Sequence, residues 1–264
     1  MPKVSIIMGA YNCAATIGRA IESIQSQTFA DWEFIICDDC STDSTYDVVK
    51  KYAEDDERII LIKNAENRRL AYSLNHCLSI AKGEYVARMD CDDISLPDRL
   101  AKQVDFLDKN LTYNVVGGGV ILFDEIGDKQ ILLNKEFPSV EDMKRRIPFF
   151  HPTIMMRKTA YDKLDGYLVS KRTLRGQDLD LWFRFYANGF SGYNLQEPVL
   201  KYHDDIGDYA KKSSFNLAWG LTKTMLYGFK ANNFPFYSYI WAFVPIVTAF
   251  IPKYIVYFIH NRKS

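Results

Sequence analysis

Three acids within four residues, Asp90, Asp92 and Asp93, follow directly on the apolar, strand-like run Tyr85-Val86-Ala87-Arg88-Met89. Carboxylates crowded at the end of a buried strand are costly unless a cation neutralises them, so the spacing points to a divalent metal and a phosphate-bearing ligand. An ordinary helix cap is the competing reading, because Pro97 and the periodic Leu100–Leu107 stretch mark a helix start. A cap, however, uses one acid, and here there are three. A second candidate is Asp178, just ahead of Leu181, Trp182 and Phe185 at helical spacing. It can serve as a base that deprotonates a hydroxyl or as a cap for free helix amides, and the two roles are compatible.

These residues need elements to position them. Val4–Met8, Glu33–Cys37, Ile59–Ile62 and Tyr85–Met89 read as strands. Between them, Ile17, Ala20, Ile21 and Ile24, then 45–53 and 70–81, carry helical periodicity, and Ser41 and Thr42 are candidate caps for the second helix. Strict alternation of strand and helix predicts a mostly parallel sheet flanked by helices, with ligands beyond the carboxyl ends of the strands. Three clusters fall there: Gly9-Ala10-Tyr11-Asn12, Asp38-Asp39, and Asp90 to Asp93.

The bulk properties exclude several functions. Lysine plus arginine equals aspartate plus glutamate at 33 each, so no global field favours nucleic acid as a partner. The five cysteines are odd in number and lie in the first hundred residues, which fits reduced thiols. Cys37-x-x-Cys40 has no second pair and no histidine at a zinc spacing, a poor fit to zinc. The strand-like Lys3–Met8 start has no charged-then-apolar leader, so secretion is not expected. Neither G-x-G-x-x-G nor G-x-x-x-x-G-K-[ST] occurs, which disfavours a dinucleotide dehydrogenase and a P-loop phosphotransferase.

Five ordered segments carry a resemblance: Val4 through Asn12, Asp38 through Asp43, Ala81 through Tyr85, Asp90 through Asp93, and Gly176 through Trp182. In order and spacing they resemble the family 2 glycosyltransferases of the GT-A fold over about residues 3–205. The resemblance implies an inverting enzyme that uses a nucleotide-diphosphate sugar, with a UDP-sugar favoured. It places Ala10, Tyr11 and Asn12 beside base and ribose, Asp39 on the base imide, and Asp90 and Cys91 at ribose or diphosphate. Asp92 would ligate Mn2+ or Mg2+, and Asp178 would act as base. Two departures stand out. The family's Glu-Asp is Gln177-Asp178 here, and a position that often holds glycine is Arg69. Arg68 or Arg69 could offer a cation to the nucleotide, and a solvated loop pair is the other reading.

Residues 1–210 form the expected catalytic domain, 1–95 binding the nucleotide and 96–210 the acceptor. In the second half, Gly117–Phe123 reads as a glycine-opened strand and Asp124–Pro138 as a hairpin or flap. His151, before Pro152, is a candidate for the sugar pocket or a structural turn residue; Gln177 and Trp182 border the same pocket by resemblance, with core packing as Trp182's other reading. His203 falls where some relatives place a metal ligand, and a surface loop is the alternative. From 211 to 264 the chain is aromatic-rich, and Phe236–Ile259 is nearly uncharged but broken by Pro245, Pro252 and Lys253. A helical tail lying in the membrane interface is expected, with packing on the catalytic domain or in a homodimer as the competing reading. That places the enzyme peripherally at the cytoplasmic face of the inner membrane, acting on a glycan or lipid-linked acceptor in surface polysaccharide or O-antigen assembly. Two other classes compete: a sugar-phosphate nucleotidyltransferase, and a non-catalytic membrane-bound nucleotide-sugar binding protein.

Overall fold

The computed structural model describes residues 1–204 and 215–249. Its first half follows the expected alternation: β1 (Val4–Ala10), α1 (Ile17–Gln25), β2 (Trp32–Asp38), α2 (Thr45–Asp55), β3 (Ile59–Lys63), α3 (Leu70–Ile80) and β4 (Tyr85–Arg88). Nearly every side chain of β1, β2 and β4 is buried, because helices cover both faces of the sheet. One apolar cluster joins Ile17, Ile21 and Ile24 to one face, and another joins Leu74 and Cys77 to the other.

The remainder comprises β5 (Ile94–Ser95), α4 (Arg99–Lys109), β6 (Val115–Asp124), β7 (Gly127–Leu132), β8 (Met155–Arg157), α5 (Lys158–Leu164), α6 (Gln177–Ala187), β9 (Gly192–His203), α7 (Phe215–Ala231) and α8 (Val244–Ala249). The strand order is β3-β2-β1-β4-β8-β6-β9-β5, with β7 paired to β6. The sheet is therefore mixed, a correction to the mostly parallel sheet read from the sequence. β3, β2, β1 and β4 are mutually parallel. Beyond β4, β8 pairs antiparallel with both β4 and β6, and β5 pairs antiparallel with β9. The reason is connection length. A two-residue turn between β6 and β7 can only reverse the chain, whereas β6 and β9, separated by helices, run parallel. Gly118 lets these two strands close up, since a Cβ there would lie 2.7 Å from Val199.

The start of α2 is also corrected. Asp43, not Ser41 or Thr42, holds it: Asp43 Oδ1 accepts from the Thr45 amide (3.0 Å) and hydroxyl (2.6 Å). Ser41 and Thr42 instead tie down Asn12.

At the far end, α7 packs on α6 so tightly that a Cβ on Gly228 would lie 2.1 Å from the Phe183 ring. The tail thus begins against the catalytic body. Among the described residues no helix is long and apolar enough to cross a membrane. The expectations for Pro252, Lys253 and the basic end of the tail lie outside the described residues.

Candidate active site

Sheet register sets the strand ends level, with Ala10 opposite Asp38 and Ile7 opposite Arg88. Around this edge the chain takes left-handed turns at Asn12 (φ 51°), Cys40 (φ 59°) and Arg69 (φ 72°), and such backbone strain collects at functional sites. Ala10 is buried, whereas Tyr11 is 47% exposed. Asn12 Oδ1 accepts the Thr42 amide at 2.8 Å, pinning the first loop to the second.

Asp39 is buried with both oxygens engaged. Oδ1 accepts the Arg68 amide (2.8 Å) and Asn64 Nδ2 (2.7 Å), and Oδ2 accepts the Arg69 amide (2.8 Å). Its present work is to hold the corner before α3. That corner separates the two arginines. Arg68 pairs with Glu66 and lies over the Tyr72 ring, while among the described residues nothing holds the Arg69 guanidinium. Both border a cleft of about 260 Å³ that Val169, Lys171 and Leu174 close from the opposite side.

The acid turn is fastened differently. β5 leaves it antiparallel to β9, with Ile94 opposite Lys201, and Asp93 Oδ1 accepts the His203 amide at 3.0 Å. Asp93 Oδ2 is buried with no partner, and burial together with Asp90 and Asp92 pushes this carboxyl well above the usual range. Asp92 is pushed up by burial and by Asp90; among the described residues no basic side chain pairs with it, although His203 lies near enough to oppose the shift. Asp90 pairs with Arg88. Cys91 turns its thiol toward Cys13 and packs on the core.

Asp178 lies at the second position of α6, behind the Gly176 cap, and not at the cap itself. Its Oδ1 accepts the Leu179 amide at 2.8 Å, which fixes the carboxyl's orientation. Burial pushes its pKa up. The Leu179 amide and Arg88 pull it down, and Asp90 pushes it further up, so Asp178 and the acid turn lie near enough for their charges to act on each other. Gln177, beside it, is half-buried. Trp182 is fully buried, packed 4.6 Å from Phe149 and edge-on to Phe185. The placement of Trp182 in the sugar pocket is corrected: its ring is core. His151 Nε2 meets Tyr167 Oη at 2.9 Å, its Nδ1 is buried without a partner, and burial with Arg88 nearby holds the imidazole neutral. His203 is no loop residue; it ends β9, 15% exposed in its side chain and edge-on to Phe123.

Two arginines escaped the sequence reading. Arg88 is 1% exposed, and its charge reaches Asp90, Asp92, Asp178 and His151. Arg99 is fully buried; its Nη2 donates to the Arg88 carbonyl at 2.7 Å, its Nε to Gln103 at 3.1 Å, and burial pushes it down to about 10. For Arg88 the signal was an arginine inside an otherwise apolar strand, since a buried guanidinium demands partners; Arg99, opening α4, carried no such signal.

Among the described residues no three His, Cys, Asp or Glu side chains gather tightly enough to hold a metal alone. An enclosed, unpaired Asp92 near His203, with an orphaned Asp93 oxygen beside them, nevertheless fits a divalent cation whose remaining ligands come from a diphosphate.

The model of Glycosyl transferase family 2 matches residues 5–165. Over 263 residues the chain is 45% identical to the "Putative glycosyltransferase EpsE" of Bacillus subtilis (strain 168), spanning 99% of this chain and 94% of that one. It is 31% identical over 194 residues, 74% of each chain, to the Escherichia coli "UDP-Glc:alpha-D-GlcNAc-diphosphoundecaprenol beta-1,3-glucosyltransferase WfaP". The chain belongs to glycosyl transferase family 2. Its fold matches S. aureus TarS 1-349 in complex with UDP-GlcNAc (TM-score 0.72, 18% identity, 94% of this chain and 72% of that one). It also matches the mannosyltransferase PcManGT from Pyrobaculum calidifontis in complex with GDP-Man and Mn2+ (TM-score 0.68, 18% identity, 99% and 80%). At such identities the likeness is of fold alone, and that fold is mixed α/β of the GT-A type.

Proposed function

We propose that the enzyme transfers a sugar, with inversion, from a nucleotide-diphosphate sugar to a hydroxyl of a glycan or lipid-linked saccharide in surface-polysaccharide assembly. The observation that supports this is electrostatic proximity: Asp178, oriented by the Leu179 amide, feels the charges of Arg88 and Asp90 at the acid turn. A base on one side of an anomeric carbon and charge compensation on the other are what a single displacement requires. No second carboxylate is needed as nucleophile, so inversion follows. A UDP-sugar donor and a lipid-linked acceptor are favoured because WfaP's name carries both and TarS was solved with UDP-GlcNAc.

In this reading Ala10, Tyr11 and Asn12 border the base and ribose, Asp39 accepts from the base imide while fixing the corner that presents Arg69, and Asp90 meets ribose or diphosphate. Asp92, with His203, would hold Mn2+ or Mg2+, which when bound offsets the charge of the departing nucleoside diphosphate. Asp178 takes the acceptor proton, and burial is what raises its basicity. His151 stays neutral and lines the pocket beside Gln177. A lipid-linked acceptor places the enzyme peripherally at the cytoplasmic face of the membrane.

The test is a thermal-shift panel of nucleoside diphosphates and nucleotide sugars with and without Mn2+, followed by product analysis. Stabilisation by one base type only with metal present, and release of nucleoside diphosphate, are expected. Release of pyrophosphate would instead choose a nucleotidyltransferase, and binding without turnover a non-catalytic protein.

A further inference from the structure

The segment after α7 is built inside out. In the 3-10 helix Phe236–Phe243 and the following α8, Ser238 and Ala242 are buried against the body, while large apolar side chains face outward. Phe236 is 90% exposed, Tyr237 76%, Ile240 72% and Val247 60%, with Phe243 and Val244 also exposed. Their spacing is that of one helical stripe, so a folded domain has laid a continuous apolar ridge on its own surface. Single exposed apolar residues need no explanation; a ridge of six does.

The flank of the ridge turns basic past Glu141 and Asp142, whose charges Lys144 and Lys135 meet. The short helix Val140–Lys144 leads into Arg145, Arg146 and exposed Ile147. Lys144 lies 4.8 Å over the Phe234 ring and Arg145 4.4 Å over the Trp241 ring, which fastens this run to the ridge. The sequence extends the asymmetry. From residue 209 to 264 there are seven lysines and arginines and no aspartate or glutamate. Because the whole chain balances 33 against 33, the first 208 residues carry seven excess acids. The longest acid-free stretch of the molecule bears most of the exposed aromatics among the described residues.

We propose that this ridge, with Arg145 and Arg146 at its edge, is the surface by which the enzyme docks on an anionic lipid bilayer, its aromatic side chains entering to headgroup depth. The chemistry matches an interfacial anchor: apolar and aromatic groups without acids, flanked by cations that meet lipid phosphates. A second copy fits the same surface poorly, since twofold pairing would bring two acid-free, basic segments together. The surface deepens the lipid-linked acceptor reading and rests on it for its purpose. It also includes residues 144–147, which lie outside the tail.

Vesicle sedimentation of the full chain tests it, with no donor or acceptor present, so failure here is separate from failure of the transferase reading. Binding to phosphatidylglycerol vesicles is expected to exceed binding to phosphatidylcholine vesicles and to fall with rising salt. Phe236→Asp with Ile240→Asp should lose binding at least about tenfold, and Arg145→Glu with Arg146→Glu should remove the preference for anionic lipid. Ile126→Asp, an equally exposed apolar site on the β6–β7 turn, should bind as the parent does. Thermal unfolding of each variant checks that it folds, and transfer to a water-soluble acceptor should be unchanged. Parent and ridge variant binding equally, or neither binding, overturns the proposal. A ridge variant that converts a dimer to a monomer without changing vesicle binding overturns it in favour of a second copy.

Discussion

Two pairs of aspartates follow the strands on either side of β1 in one sheet, and they are treated in opposite ways. After β2, Asp39 has three hydrogen bonds on its two oxygens, and Asp38 takes the Ser41 amide and lies 3.9 Å from Lys63. Beyond β4, no ion pair holds the Asp92 carboxylate among the described residues, Arg88 and His203 acting on it through charge alone, and Asp93 keeps one buried oxygen without a partner. The residue type is the same, and three of the four, Asp38, Asp39 and Asp93, are buried. What differs is whether the protein itself satisfies the charge. A saturated carboxylate organises its surroundings, whereas an unsatisfied one leaves a demand for a ligand to meet.

The strongest test of the unsatisfied side is Asp178→Asn. Loss of a general base should cut transfer by roughly 10²–10⁴-fold while thermal shift still detects nucleotide-sugar binding. In the parent, activity should fall as pH drops through the raised pKa of Asp178, above the ordinary carboxylate range. A pH-independent rate across that range would remove Asp178 from the reaction.

Asp92→Asn should rank second, abolishing the Mn2+-dependent part of nucleotide stabilisation, about 2.7 kcal/mol where ligand is at a hundred times its Kd. Its sign without metal is the opposite. Because burial raises the pKa of Asp92 and Asp93, the folded state holds protons that the unfolded chain releases. Metal-free stability therefore falls as pH rises from the ordinary carboxylate value through the raised one, and the slope should be shallower in Asp92→Asn. Asp39→Asn should behave in the contrary manner. Losing charge-assisted bonds to the Arg68 and Arg69 amides should cost about 1.5–3 kcal/mol, lowering Tm by about 2–4 °C per kcal/mol, and metal should not restore it. Identical responses from Asp39→Asn and Asp92→Asn would erase the distinction.

The parallel half of the fold was legible because buried parallel strands and their helices write separate periodicities. The acceptor half was less so, since pairing of β8 with both β4 and β6 depends on contacts between segments far apart in sequence. The acids at the strand ends could be located from their spacing, but not which of them the protein satisfies. Asp39's partners are main-chain amides, which carry no residue signature. Trp182 was ambiguous for a related reason: a tryptophan in the middle of a helix has the same spacing whether its ring faces sugar or core.

Arg69→Gly is the smallest and most pointed prediction, because it sets stability against binding at the corner that Asp39 holds. Arg69 sits at φ 72° and ψ 165°, a region essentially reserved for glycine that costs other residues about 1–3 kcal/mol. Glycine relieves that strain but gives the unfolded chain more freedom, leaving a net gain of about 1 kcal/mol and a Tm rise of about 2–4 °C. If the unpartnered guanidinium meets the diphosphate, the same substitution should weaken nucleotide affinity by roughly tenfold, the worth of a modest charged hydrogen bond. Arg69→Lys keeps the strain and the cation but loses the fork, so it should recover part of the affinity and none of the stability. A glycine variant that is more stable and binds UDP as tightly as the parent would show that Asp39 holds the corner for its shape alone, with the arginine's charge playing no part.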